Sequence, residues 1–143
     1  MPKIYRAMKR DEDGKPKVGP RRSALGVKPG SPPGGDIPVD ADGRIVPRTG
    51  GMSVAPTWQD LPPSRIPKRL KPIFDKACGS NGYACWFMGS GPFEDGAISE
   101  DLSLHADKKY HGMVEPAVVT EFDEFQAAIA ATRDHWQVIV EDK

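Results

Sequence analysis

Two cysteines and three histidines are all that 143 residues offer toward a metal centre or a disulfide framework. Cys78 and Cys85 have six residues between them, a separation that fits no common zinc pattern, and the histidines are too few to complete a site. No metal is expected. Neither cysteine has the histidine pairing of a nucleophile. A loop-closing disulfide is geometrically feasible, but two reduced, partly buried thiols are the expectation for a cytosolic chain. Long hydrophobic runs are also missing. Residues 1 to 30 hold nothing like a secretory apolar segment, and no stretch is long enough to cross a bilayer. The chain is therefore expected to be soluble and cytoplasmic in the cell that makes it, without a membrane partner. Export by machinery that reads a folded cargo stays open.

Apolar residues are scarce, at 38%, whereas glycine and proline are plentiful at 15 each. That balance argues against a helical bundle and for short strands joined by long loops in one domain spanning 1–143. Net charge is zero but unevenly distributed: 16 Lys and Arg face 8 Asp and Glu up to Pro92, and 4 face 12 from Phe93 onward. Charges of +8 and −8 in the two halves could mark a basic surface for nucleic acid and an acidic one for a protein partner. The simpler expectation is that the halves pack together and partly cancel, so nucleic acid is not the favoured partner.

Ile4 and Arg6 alternate with Tyr5 and Ala7 in a first strand at about Lys3 to Met8. Residues 9–43 form a long polar connection punctuated by Pro and Gly, of the kind that serves as a binding loop or flexible insertion. Asp42-Gly43 signals a turn into a short strand, Arg44 to Val46, and Gly50-Gly51 bends the chain before a second, Met52-Ser53-Val54. A short helix is expected from about Ser64 or Pro67 to Ala77, with Ile66, Leu70, Ile73 and Phe74 inward. Tyr83 to Met88 reads as a strand buried on both faces. Asp101 to His105 and Tyr110 to Glu115 read as two more strands, with Ala106 to Lys109 as the turn between them. Thr120 is a good N-cap for the clearest helix, Glu121 to Trp136, in which Phe122, Phe125, Ile129, Thr132 and Trp136 recur at spacings of three and four. A last strand, Gln137 to Val140, follows.

Several residues invite a functional reading. Arg6 offers a bidentate guanidinium fork to a phosphate or sugar oxygen, against the plainer role of a strand arginine paired with an acid. Gly50 and Gly51 allow close backbone approach at Ser53, against the commoner hairpin or bulge. Glu115 offers a carboxylate, and His111 shares its strand face two pleats away. Trp58, in a Pro-flanked loop after Ser53, is the first choice for a ring that stacks on a ligand, ahead of Tyr83 and Trp86; all three are also core candidates.

The stretches Ile4-Tyr-Arg-Ala7, Thr49-Gly-Gly-Met-Ser-Val54, Ile98-Ser-Glu-Asp-Leu-Ser-Leu104 with Asp107, His111 with Pro116, and the closing helix ending in Trp136 occur in one order. In this the chain resembles the ADP-ribosyltransferase-like toxins that bacteria deliver through type VI secretion; residues 9–43 and 62–92 lie outside the likeness. The resemblance implies an α+β fold with a split, bent, mostly antiparallel sheet, few helices and long loops around an NAD-sized cleft. It implies NAD as substrate, with Arg6, Ser53 and His111 as catalytic residues; Glu115 is expected to join them through its carboxylate, and Arg6, Gly50, Gly51, Ser53 and Trp58 are the expected NAD contacts. Cleavage between nicotinamide and ribose passes through an oxocarbenium-like sugar, which calls for a carboxylate, a clamp on the pyrophosphate and a pocket for the leaving ring. It further implies transfer of ADP-ribose or hydrolysis of NAD in a target cytosol, and a cognate immunity protein or antitoxin as partner. The expectation from another class is a non-enzymatic module that binds nucleic acid through the basic half or a protein through the acidic half.

Overall fold

The computed structural model describes residues 1–143. Nine strands, one α-helix and five short 3-10 turns make an α+β fold in which every pairing between strands is antiparallel. The strands are β1 (Ile4–Lys9), β2 (Arg44–Ile45), β3 (Met52–Val54), β4 (Tyr83–Met88), β5 (Gly96–Ala97), β6 (Leu102–Lys108), β7 (His111–Pro116), β8 (Thr120–Glu121) and β9 (Gln137–Val138); helix α1 is Phe122–Ala130. They form a sheet of order β1-β4-β9, another of order β3-β7-β6-β5, and a small β2-β8 pair. Tyr5 and Ala55 exchange backbone hydrogen bonds of 2.9 and 3.0 Å, which joins the two larger sheets at the start of β1 and the end of β3.

Strand alternation explains the core. Ile4 and Met8 of β1, with Ala84, Trp86 and Met88 of β4, enter the main apolar cluster, whereas Ala7 and Cys85 face a second cluster built on Ile66, Leu70 and Ala77. The β1-β4 sheet is thus covered on both faces, as the aromatic run at 83–88 predicts. The Trp86 indole N–H reaches the Met8 carbonyl at 2.9 Å, so the largest core side chain keeps its polar atom satisfied.

Four expectations need correction. The helix expected over Ser64 or Pro67 to Ala77 is instead two 3-10 turns, Pro63–Arg65 and Lys68–Leu70, because Pro72 lacks the N–H a helix requires and its ring would strike the preceding turn. Ile66 and Leu70 still point inward, but Ile73 is 58% exposed. The closing helix stops at Ala130; there the Thr132 hydroxyl donates to the Ile129 carbonyl and accepts from the Trp136 indole, and a 3-10 turn, Arg133–His135, continues. Its N-cap is Glu121 and not Thr120, whose hydroxyl donates to the Glu124 carboxylate and not to a backbone N–H of the first turn. The turn expected at Ala106 to Lys109 belongs largely to β6, which runs on to Lys108 through a bulge after His105.

Residues 9–43 are tied down along their length. Leu25, Val27 and Ile37 are fully buried in the main cluster. Gln126 of α1 accepts from the Val27 N–H and donates to its carbonyl. The segment forms part of the core and also shapes the rim of the site below.

Candidate functional site

The junction of β1 and β3 sets Arg6 beside Ser53. Arg6 lies on the core face between Ile4 and Met8 and is only 5% exposed. Its Nε donates to the Ala24 carbonyl (3.1 Å), Nη1 to the Ser53 carbonyl (2.7 Å), and Nη2 to those of Ala24 (3.0 Å) and Arg22 (3.4 Å). Four of the five guanidinium N–H groups are thereby spent on backbone. Arg6 is not the open bidentate fork its sequence position suggests; it is a fixed buried charge that ties the 22–24 turn to both strands. Burial, and then repulsion from Arg65, lower its pKa to about 10, so it remains a cation at neutral pH.

Ser53, with its hydroxyl outside any intramolecular hydrogen bond, lines a cavity of about 140 Å3 with Arg6, Ala55, Asp60, Arg65 and His111. An apolar cavity of about 150 Å3 accepts a benzene ring, so this one has room for a single ring. A second cavity of about 240 Å3 shares Arg6, Ser53 and Arg65 and adds Arg22 and Asp36; it has no hydrophobic lining. Arg65 projects from the 3-10 turn Pro63–Arg65 and makes no side-chain hydrogen bond or ion pair. Its pKa is drawn down by burial and then by Arg22. Three arginines thus converge on one polar cavity with Asp36 as the nearest acid, an arrangement suited to an anionic ligand.

His111 comes from the opposite side, at the start of β7. Its Nδ1 lies 2.7 Å from Asp107 Oδ1 across the bulged β6-β7 turn. The bulge aims Asp107 back at the ring, fixing the imidazole and leaving Nε2 as its free nitrogen. Asp60 ends the 3-10 turn Trp58–Asp60, where its Oδ2 accepts from the Thr57 hydroxyl at 2.8 Å.

Arg6, Ser53 and His111 therefore meet, and four other expected residues do not join them. Glu115 points elsewhere: its buried carboxylate accepts from the Arg48 backbone N–H at 2.7 Å and lies 3.5 Å from the Arg48 guanidinium. Arg48 has φ 70°, a left-handed conformation unusual for a side chain-bearing residue, and Glu115 holds it there. Trp58 is 6% exposed and packs edge-on against Phe74 at 5.5 Å, so it is core and not a stacking platform. Gly50 and Gly51 are required by the protein's own backbone, since a Cβ would come within 2.1 Å of the Asp36 carbonyl oxygen and 2.2 Å of that of Val114. In their place stand Asp60, Arg65 and Asp107, together with Arg22 and Asp36 from the long connection. Residues this far apart in the chain converge only through the fold; the one sequence signal was the excess of cations before Pro92.

The two cysteines are free; Cys78 is exposed and Cys85 buried. No cluster of three or more His, Cys, Asp or Glu side chains suits a metal ion. No helix is long and apolar enough to cross a membrane. No protein-family model matches the sequence, and no curated protein matches it.

Proposed function

We propose that the Arg6, Ser53, Arg65 and His111 cavity binds NAD and breaks the bond between nicotinamide and ribose, passing ADP-ribose to an acceptor or to water. The observation that carries this reading is the meeting of Arg6, Ser53 and His111 in one ring-sized cavity beside a polar, arginine-lined one. The nicotinamide takes the smaller cavity and the pyrophosphate the larger, against Arg22 and Arg65, with the fixed charge of Arg6 behind. As the C1′–N bond breaks, its electron pair stays on the ring nitrogen and neutral nicotinamide leaves. The acceptor then bonds to C1′, and its proton passes to His111 Nε2, held in place by Asp107. Asp60 supplies the carboxylate that offsets positive charge on the sugar, a role the sequence assigns to Glu115.

The ordered motifs around Arg6, Ser53 and His111 support a toxin of the ADP-ribosyltransferase-like class delivered by type VI secretion. On that reading the protein acts in the cytosol of a target cell, and a cognate immunity protein restrains it by filling the cavity. Release of nicotinamide from NAD by the purified protein tests the chemistry. Turnover should fall at least about tenfold in Ser53→Ala and in His111→Ala with the unfolding midpoint unchanged. Wild-type turnover in both folded variants would overturn the assignment.

A further inference from the structure

The cations do not stop at the cavity. Beyond Arg22 and Asp36 a third depression, of about 490 Å3, runs between the turns at 20–22 and 33–36 and is walled by Arg21, Arg22, Lys28 and Asp36 with prolines and glycines. It shares Arg22 and Asp36 with the polar cavity, which in turn shares Arg6, Ser53 and Arg65 with the ring-sized one. The three form one path. Five cations line it, Arg21, Arg22, Lys28, Arg6 and Arg65, against the acids Asp36 and Asp60.

Elsewhere the basic half of the chain is partly neutralised by the acidic half, as expected. Lys15 pairs with Asp134, Arg48 with Asp95 and Glu115, and Arg69 with Asp142. None of these pairs draws on the cations of the path. Asp36, whose Oδ2 accepts from the Lys28 backbone N–H at 2.7 Å, acts on Arg6 and Arg65 from a distance without an ion pair, so the cations of the path stay in excess.

The path is rigid. Arg21 and Arg22 precede buried Ala24 and Leu25, Lys28 follows buried Val27, and Asp36 precedes buried Ile37. The Asp36 N–H donates to the Lys28 carbonyl at 2.8 Å, closing the two walls on each other. A ligand would meet backbone walls already in position, which favours binding. No aromatic ring lines the path, so stacking on bases contributes nothing and recognition would fall on phosphates without regard to sequence. The depression between the two turns, of about 490 Å3, is sized for the phosphates of one strand and not for the width of a duplex.

We propose that this path seats the phosphodiester backbone of a single-stranded nucleic acid and leads it to the cavity as the ADP-ribose acceptor. Binding stands on the path alone; the acceptor role rests on the NAD reading above. In the transfer, the C1′–N bond to nicotinamide breaks, a nucleophilic oxygen or nitrogen of the strand bonds to C1′, and the displaced proton goes to His111.

Fluorescence anisotropy with labelled single-stranded RNA and DNA oligonucleotides tests the path. Contacts from Arg21, Arg22 and Lys28 should give a slope of log affinity against log salt of about −2, falling to about −0.7 when Arg21→Ala and Lys28→Ala are combined. Both residues are exposed and outside the NAD cavity, so the double variant should bind NAD as the wild type does. No strand binding at low salt, or binding unchanged in the double variant, would overturn the proposal. Strand binding that persists where NAD binding fails would instead sink the cavity assignment and leave the path standing. Incubation with NAD should add one ADP-ribose to the strand by mass. Release of nicotinamide with no gain on a bound strand would refute the acceptor role.

Discussion

The Arg6 guanidinium donates to the Ser53 carbonyl over 2.7 Å, so the arginine of β1 holds the backbone of β3 while the Ser53 hydroxyl is left to the cavity. The two residues therefore separate in a mutational test. Arg6→Ala leaves the buried Ala24 carbonyl without its partner and should cost about 3 kcal/mol. Ser53→Ala should stay within about 0.5 kcal/mol of wild type. Urea unfolding of both variants checks this, and equal losses would contradict it.

Glu115 is expected to act on stability and not on chemistry. Its carboxylate takes the Arg48 N–H and faces the Arg48 guanidinium, which also reaches Asp95 at 3.1 Å. Glu115→Gln keeps the shape but removes the charge, at a cost of about 1–3 kcal/mol. NAD affinity measured on the folded variant should be unchanged; a selective loss of turnover at full stability would restore Glu115 to the site.

The sequence made the strands near the site legible and left the cavity's walls hidden. Ile4, Arg6 and Met8 alternate cleanly, and β3 and β7 follow from Met52-Ser53-Val54 and the run before Pro116, because short apolar strands declare themselves by period two. Arg22, Asp36, Asp60 and Arg65 sit in turns that carry no period, so nothing local ties them together. The places of Trp58 and Glu115 are hidden for a related reason. Their surroundings, Phe74 and Arg48, are set by tertiary packing, which residue type alone does not convey.

The chain's C-terminal end should be a point of fragility. Asp142, whose side chain is fully buried, accepts from Arg69 Nε at 2.6 Å and Nη2 at 2.9 Å, and from the Cys85 backbone N–H at 3.3 Å. Asp142→Asn leaves the Arg69 charge unpaired, and with Arg69 partly open to solvent the loss should be about 2–3 kcal/mol. A thermal melt reads it directly.

The Cys85 thiol is buried, and burial followed by the charge of Asp142 pushes its pKa up to about 12, so it should be inert. Cys78 is exposed. Iodoacetamide should add one adduct to the native protein and two after unfolding, as counted by intact mass.

Acid should weaken the fold in a defined window. Asp13, Asp95 and Asp134 are held below the ordinary aspartate value of 3.8, first by hydrogen bonds from Arg133, the Ala106 N–H and Lys15 respectively. A carboxyl lowered by folding contributes stability above its unfolded pKa and loses it as pH falls through the folded one. The urea midpoint should drop as the pH is taken below 3.8 on account of these groups. Arg133→Gln should lessen that fall.

Calorimetric titration of the folded protein with NAD, run beside Arg65→Ala, tests the central claim most directly. An NAD site at the convergence of Arg6, Arg22 and Arg65 predicts saturable binding that weakens about tenfold or more in the variant. No binding by the folded wild-type protein, or equal binding by both, would contradict it.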